Sequence, residues 1–237
     1  TEVAKGAADM VLTDDNFTTI VNAVGEGRTI FSNIKKAIHF LLSCNIGEIV
    51  AIFLGTTLGI FIFGRQVTTL TAVQILWVNL VTDSLMAIAL GLEPREKNIM
   101  DSKPRNPKKS IFADGLGLMI GLQGVMIGLI AFAAYIIGWN IAADGFHEIT
   151  AATMTFMVLA LSQLVHAFNV RSQHGSLFGL KHNKWIYYAF AGSITLQLLV
   201  ILTPFGRNIF GLIHLNGIHW LITIGLSLLP LLFVEIY

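Results

Sequence analysis

The segment "LLSCNIGEIVAIF" (residues 41–53) carries a carboxylate, Glu48, inside a run of apolar residues. A second segment, "WVNLVTDSLMAIAL" (77–90), carries Asp83 in the same kind of surroundings. A charged side chain at the centre of a membrane-spanning helix costs about 2.5–3.5 kcal/mol on insertion scales. Ionisable residues in such segments therefore usually serve transport or proton transfer, and we expect the same of these two.

The composition is that of a membrane protein. Of the 237 residues, 54% are hydrophobic and 12% are charged, whereas soluble domains have about 25% charged residues. The net charge is +1, and the basic residues form short clusters between apolar runs. This pattern predicts a lipid bilayer as a partner and gives no reason to expect nucleic acid.

Apolar runs predict the membrane spans, because a helix needs about 20 residues to cross the hydrocarbon core. We predict an all-α polytopic membrane protein with six spans. They cover roughly residues 37–63, 70–91, 115–139, 149–170, 185–204 and 218–235. Helical periodicity begins at Thr29, before the first span, so this helix is expected to start outside the membrane. Pro204 should end the fifth span, and Pro230 should kink the sixth.

The residues before the first span have a different pattern. "DMVLTDD" (9–15) predicts a short buried strand and an acidic turn. "NFTTIVNAVGEGR" (16–28) predicts an amphipathic helix with Asn16 as its N-cap. We therefore divide the chain into an α/β remnant of a cytoplasmic domain (1–27) and a transmembrane domain (28–237). The start without methionine or signal peptide, and the end within an apolar run, lead us to expect a fragment.

The basic residues predict the orientation in the membrane. Thirteen of the 15 Lys and Arg fall in the N-terminal segment and in the connections 95–109 and 171–184. Arg65 and Arg207 fall on the other side. Because Lys and Arg are enriched in cytoplasmic loops, both ends of the chain are expected in the cytoplasm.

The polar residues of the first two spans share helix faces. Asn45 and Glu48 are spaced i, i+3, and Asn79, Thr82 and Asp83 are spaced i, i+3, i+4. All five side chains offer oxygen, which suits a hard cation such as Ca²⁺. A tight loop joins the two spans, so they should be antiparallel neighbours. The sequence therefore predicts one buried cation site between them.

The fourth span adds a third polar stripe, Gln163, His166 and Asn169. Gln163 lies near the middle of the span and could give a carbonyl oxygen to the same site, whereas the other two lie nearer the cytoplasmic end. His39 is expected near the membrane surface. Two other interpretations stay open: the amide and hydroxyl side chains could only join helices, and the two carboxylates could form a proton relay.

Several stretches resemble one family. "TEVAKGAADMVLTDDNFTTIVNAVGEGR" resembles the end of the phosphorylation domain of type II P-type ATPases. "CNIGE" and "LWVNLVTDSLMAIALG" resemble the fifth and sixth transmembrane helices of its calcium-transporting branch, which includes the sarco/endoplasmic reticulum calcium pump. "NIMDSKPRNPKKSIF" is similar to the connection after the sixth helix. The resemblance covers essentially the whole chain and implies helices five to ten of such a pump.

The resemblance implies that Ca²⁺ is transported out of the cytoplasm with proton counter-transport, using Mg²⁺ and ATP in the full-length parent. Six positions match the family's metal ligands: Asn45, Glu48, Asn79, Thr82, Asp83 and Gln163. Gln163 stands where the reticulum pump has glutamate. Plasma-membrane calcium pumps have glutamine there but lack the acid at Glu48, so one or two ions per cycle remain possible.

The sequence lacks the D-K-T-G phosphorylation motif, a nucleotide-binding domain and the first four helices of such a pump. The fragment alone is therefore expected to be unable to hydrolyse ATP, and its partners are the missing helices and cytoplasmic domains. A secondary cation/proton exchanger, or a pump for Na⁺ or Mn²⁺, remains an alternative. The short connections and the absence of a regulatory tail favour a bacterial plasma membrane.

Overall fold

The computed structural model describes residues 1–13, 16–96, 99–101, 104, 108–171 and 183–235. The regular structure in these ranges is helical, and no strand occurs among them. A π-helical turn, Val78–Asp83, lies between the third and fourth α-helices. The α-helices are α1 (Glu2–Ala7), α2 (Phe17–Phe63), α3 (Ala72–Trp77), α4 (Ser84–Gly91), α5 (Leu116–Ile141), α6 (His147–Arg171), α7 (Lys184–Leu202), α8 (Pro204–Phe210) and α9 (Gly217–Glu235).

The strand predicted at residues 9–15 is wrong for its described part, residues 9–13. These residues have no regular structure, and Met10 and Val11 are about half exposed. A strand needs a neighbouring strand for its backbone hydrogen bonds, and none of the described residues supplies one. The rest of the predicted acidic turn, residues 14–15, lies outside the described residues.

Helix α2 is 47 residues long and begins where the sequence predicts. Its N-cap is Asn16, whose side-chain oxygen accepts a hydrogen bond from the Thr18 backbone N–H at 3.0 Å. It ends at Gly64, which adopts a left-handed conformation with φ of 71°. At 1.5 Å per residue the helix is about 70 Å long, more than twice the roughly 30 Å hydrocarbon core. The prediction of one helix running from outside the membrane into it is supported.

Five helical segments are long and apolar enough to cross a membrane: Phe17–Phe63, Ala72–Gly91, Leu116–Ile141, His147–Arg171 and Lys184–Leu202. The chain is therefore an integral membrane protein. The sixth predicted span corresponds to α9, whose apolar part, Gly217–Leu232, is shorter, and its crossing stays a prediction. The predicted break at Pro204 is confirmed, because α7 ends at Leu202 and Pro204 begins α8.

Helix α6 lies at the centre of the bundle and packs against α2, α4, α5, α7 and α9. Beside it, α2 and α5 approach each other closely at Gly124 and Gly128. A Cβ atom added at Gly124 would lie 2.8 Å from the Ser43 carbonyl oxygen, and one added at Gly128 would lie 2.7 Å from that of Gly47. Small residues at such crossings let membrane helices pack backbone to backbone.

The segments with most of the basic residues meet at one end of the bundle. Lys36 of α2 forms an ion pair of 2.7 Å with Glu96, which follows α4. Arg28 donates to the backbone carbonyl of Ile99 at 3.0 Å. Arg65 lies at the opposite end of α2 and pairs with Glu148 of α6. Within the predicted connections, residues 97–98, 102–103, 105–107 and 172–182 lie outside the described residues.

Candidate cation site

Three helical segments converge on Glu48 of α2, which is 3% exposed. Asn79, in the π-helical turn, donates its side-chain N–H to Glu48 Oε2 at 2.7 Å. Gln163 of α6 lies with Nε2 3.4 Å from Glu48 Oε1 and 3.4 Å from the Cys44 backbone carbonyl. Two amides therefore hold one carboxylate between the helices, as the shared faces in the sequence predict.

Asp83 is a fully buried carboxylate in this region. It is the last residue of the π-helical turn and is 0% exposed. Within the described part of the chain, neither carboxylate oxygen accepts a hydrogen bond from an N–H or O–H group, and the Cys44 thiol is a weak donor beside it. The Glu48 carboxylate and the Cys44 thiol are its electrostatic neighbours. An ionised carboxylate that is buried with only a weak donor is costly, so this position favours either a proton or a metal cation.

The π-helical turn contains all three polar residues predicted from the second span. Thr82 is buried, and its hydroxyl donates to the Val78 carbonyl at 2.8 Å, which leaves lone pairs of its oxygen for a further contact. The Ser84 hydroxyl donates to the Asn79 carbonyl at 3.0 Å. Single π-helical turns inside α-helices are frequent at functional sites, and this one coincides with the densest group of candidate ligands.

Helix α3 fixes the start of that turn through two buried glutamines. Trp77 Nε1 donates to Gln197 Oε1 of α7 at 3.0 Å. Gln74 donates to the Phe210 carbonyl, at the end of α8, at 2.9 Å. Both contacts lie immediately before Val78, so the segment entering the turn is held by helices on the other side of the bundle.

The hydrogen bonds of the described residues do not join three of the predicted ligands, Asn45, Thr82 and Asp83, to Glu48, Asn79 and Gln163. Asn45 is the one of the three that lies on α2. It is half-buried, and its N–H donates to the Leu41 carbonyl of its own helix at 2.7 Å. Gln163 differs, because its Oε1 atom is buried and without a hydrogen-bond partner among the described residues. The structure thus brings together Glu48, Asn79 and Gln163, with Asp83 as an electrostatic neighbour.

The other polar residues of the α6 stripe bind elsewhere. Asn169 donates to the Pro230 carbonyl of α9 at 2.9 Å. His166 Nε2 lies 2.9 Å from the Ser43 hydroxyl, and its ring is edge-on to that of His39, with 6.1 Å between the centroids. His39 is itself buried and contacts Gln123 of α5 at 2.6 Å. Its depth in a bilayer stays a prediction, but its ring lies between helices.

The donor set suits a hard cation. Within the described ranges, no group of three or more His, Cys, Asp or Glu residues could hold a metal ion. The oxygens gathered near Glu48 and Asp83 are instead a mixture of carboxylate, amide and hydroxyl oxygens, which is typical of Ca²⁺ sites. Sequence reasoning missed two participants, the Cys44 carbonyl and the Ser84 hydroxyl. Only their positions beside Asn45 and Asp83 could have indicated them.

A family described as "Cation transporting ATPase, C-terminus" matches residues 67–237. The chain belongs to this family. Among curated relatives, it is 43% identical over 251 positions to Calcium-transporting ATPase 1 of Bacillus cereus, covering 100% of the chain and 28% of the relative. It is 39% identical over 232 positions to Calcium-transporting ATPase of Bacillus subtilis, covering 97% of the chain and 25% of the relative.

A plant relative shows the same coverage. Calcium-transporting ATPase 4, endoplasmic reticulum-type, of Arabidopsis thaliana is 32% identical over 290 positions, covering 100% of the chain and 27% of the relative. The chain thus spans about a quarter of the length of the curated relatives it matches. The family match and these relatives confirm the resemblance to calcium-transporting ATPases that the "CNIGE" and "VNLVTD" segments indicate.

Proposed function

We propose that this chain is the C-terminal transport part of an ATP-driven pump that exports Ca²⁺ from the cytoplasm and returns protons. The observation that carries this proposal is Asp83, which is fully buried and accepts no hydrogen bond from an N–H or O–H group of the described residues. The names of the relatives, all calcium-transporting ATPases, support the choice of ion. In this proposal ATP and Mg²⁺ bind parts of the parent protein outside this chain, which spans about a quarter of its relatives' length.

The proposed ligands for the transported ion are the six residues predicted from the sequence. Asp83 and Glu48 supply the negative charge. Asn79 and Gln163 now direct their N–H groups at Glu48, and rotation of each amide would turn its carbonyl oxygen towards the ion. Thr82 and Asn45 add neutral oxygens. Ca²⁺ takes six to eight oxygens at 2.3–2.6 Å, so other parts of the parent could complete the shell.

Coupling to the ATP-consuming domains is proposed to run through α2. This helix is continuous from Phe17 to Phe63 and carries Glu48 about 31 residues from its start, about 47 Å along the axis. No break occurs at the proposed domain boundary between residues 27 and 28. A tilt imposed on the N-terminal end of such a rod would move Glu48 relative to Asp83, which would open the site to the other side.

Proton return is proposed to use the same two carboxylates. Once the cation leaves, Glu48 and Asp83 would lie close together in a dry environment, where two negative charges repel each other. Binding of protons would remove that repulsion and let the emptied site return to the cytoplasmic orientation. In this proposal both ends of the chain face the cytoplasm of a bacterial cell, an assignment that the bacterial relatives favour.

Membership of a cation-transporting ATPase family favours the pump over a secondary cation/proton exchanger. The oxygen donor set does not by itself separate Ca²⁺ from Mn²⁺ or Na⁺. The identity of the ion therefore needs a direct titration.

The test is phosphoenzyme formation from ATP by the full-length parent in membranes, with Ca²⁺, Mn²⁺ and Na⁺ titrated separately. We expect half-maximal activation at micromolar Ca²⁺ and no such activation in Asp83→Asn. Phosphorylation by inorganic phosphate, which needs no bound cation in this scheme, should persist in the variant and serves as the folding control. Normal Ca²⁺ activation of Asp83→Asn would show that the ligand assignment is wrong.

A further inference from the structure

A third buried carboxylate, Glu93, lies just beyond the C-terminal end of α4 and takes no part in the proposed cation site. It is 6% exposed. Its Oε1 atom accepts two hydrogen bonds from Arg171, from Nε at 3.0 Å and from Nη2 at 2.8 Å. Its Oε2 atom accepts one from Asn183 Nδ2 at 2.6 Å. Arg171 and Asn183 are also buried.

These partners come from different helices. Arg171 is the last residue of α6, and Asn183 is the N-cap of α7. Asn33 of α2 donates to the backbone carbonyls of Glu93 at 2.8 Å and Gly91 at 3.1 Å. The end of α4 is thus tied to α2, α6 and α7 around one residue.

The position of the Glu93–Arg171 pair along the helices matters for the cation site. Helices α4 and α6 run in the same direction and end at this pair. Asp83 lies ten residues before Glu93, and Gln163 lies eight residues before Arg171, which is about 15 and 12 Å along a helix. Both distances lead back to the same level of the bundle, where the candidate ligands meet.

Between the cation site and the pair, the contact of α4 with α6 is apolar. The cluster there contains Met86, Ala89 and Leu90 of α4 with Leu164, Ala167 and Val170 of α6. Apolar side chains of similar size tolerate sliding better than a forked, charged hydrogen bond does. A slip by one helical turn would move one helix about 5.4 Å past the other, which would separate Asp83 from Gln163.

We propose that Glu93 and Arg171 form a positioning pair, which fixes the register of α4 against α6 and so places Asp83 and Gln163 at one cation site. The test of this pair rests on the proposed function, because it measures the affinity of the cation site for Ca²⁺. Buried ion pairs can often be replaced by apolar residues without loss of stability, whereas a polar group can specify a unique arrangement. Register, rather than stability, is therefore the property that this pair contributes.

The experiment uses the full-length parent in membranes and four variants: Glu93→Gln, Arg171→Met, Arg171→Lys and the double variant Glu93→Met/Arg171→Met. The first two break the pair, Arg171→Lys keeps its charge, and the double variant leaves no unpaired buried charge. The control is Asp114→Asn, which makes the same carboxylate-to-amide change in an exposed pair with Lys109. The hydrogen bond from Lys109 holds the pKa of Asp114 below its usual range, so the control also removes an ionised partner.

We expect Glu93→Gln, Arg171→Met and the double variant to raise the Ca²⁺ concentration for half-maximal phosphoenzyme by about tenfold, while phosphorylation by inorganic phosphate is retained. Arg171→Lys should stay within about threefold of wild type, and Asp114→Asn should match it. If a single variant fails to fold, the double variant still tests register, because it avoids a lone buried charge. A double variant with wild-type Ca²⁺ affinity would overturn the proposal.

Failure of the proposed function would be seen elsewhere, in the wild type. The calcium pump would be contradicted, without involving Glu93, by a wild-type parent that accepts inorganic phosphate and whose phosphorylation by ATP does not depend on any added cation. If the wild type shows normal Ca²⁺ activation and the Glu93 and Arg171 variants keep its Ca²⁺ affinity, only the positioning role is contradicted.

Discussion

Asp83 lies inside the second transmembrane segment and Glu93 lies ten residues later, just beyond its end; both carboxylates are buried, but their surroundings are opposite. Glu93 accepts three hydrogen bonds, two of them from a guanidinium. Within the described part of the chain, Asp83 accepts none from an N–H or O–H group, and its one weak donor there is the Cys44 thiol. Burial alone therefore does not distinguish a structural carboxylate from a functional one, and the supply of donors does.

The difference has a physical basis. Hydrogen-bond donors fixed around a carboxylate stabilise its charge in the absence of any ligand, so such a group has little to gain from binding a cation. A carboxylate with only a weak donor keeps most of its capacity to bind one. The carboxylate of Glu48 lies between these extremes. Its Oε1 atom is 3.4 Å from Gln163 Nε2, a long contact that an ion could replace.

The largest expected effect is on stability, and it should have a different sign at the two carboxylates. Glu93→Gln removes the carboxylate that accepts two hydrogen bonds from the buried Arg171, so the melting temperature of the solubilised parent should fall by several degrees. Asp83→Asn removes a buried carboxylate that has only a weak donor among the described residues, so the melting temperature should stay level or rise. Thermal unfolding followed by fluorescence-detected size exclusion checks both.

The contrast between the two carboxylates would fail if Glu93→Gln and Asp83→Asn lowered the melting temperature equally. That outcome would mean that Asp83, like Glu93, is stabilised by partners in the folded protein.

The next effect sharpens the role of Gln163. Gln163→Ala removes an oxygen that is buried and without a hydrogen-bond partner in the described structure, so the Ca²⁺ concentration for half-maximal phosphoenzyme should rise about tenfold. The maximal phosphoenzyme level should change little. Gln123→Ala is the matched control, because Gln123 bonds His39 and lies outside the candidate site, and its Ca²⁺ affinity should match wild type.

The smallest effect is expected at a third carboxylate of the same region, Glu96. It pairs with the buried ammonium of Lys36, but its own side chain is 49% exposed. Because Glu96 is half exposed, water can reach the Lys36 ammonium when the carboxylate is lost, so the cost should be smaller than at Glu93, where both partners are buried. Glu96→Gln should lower the melting temperature by no more than about 2 °C. A fall as large as that of Glu93→Gln would show that burial does not set the cost.

Sequence periodicity predicted the long helices and the convergence of Glu48, Asn79 and Gln163. The N-cap at Asn16 and the break at Pro204 are local signals, and both were found where predicted. Glu48 and Asn79 could be paired in advance because a short loop makes their helices antiparallel neighbours. Their spacing then left only one face on which the polar residues could meet.

The remaining features depend on contacts distant in sequence. Arg171 counted as one more basic residue of a cytoplasmic connection, yet it is 5% exposed and bound to Glu93. Nothing near Glu93 in the sequence indicates that partner, 78 residues away. The strand predicted at 9–15 failed for a related reason: local pattern suggests a strand, but a strand forms only against another one.

Direct binding of radioactive calcium tests the central claim most simply. Membranes containing the full-length parent, Asp83→Asn and Glu96→Gln would be equilibrated with micromolar ⁴⁵Ca²⁺ and filtered in the absence of ATP. We predict saturable binding by the parent and by Glu96→Gln, and binding at background level by Asp83→Asn. Equal binding by all three proteins would contradict the assignment of Asp83 as a calcium ligand.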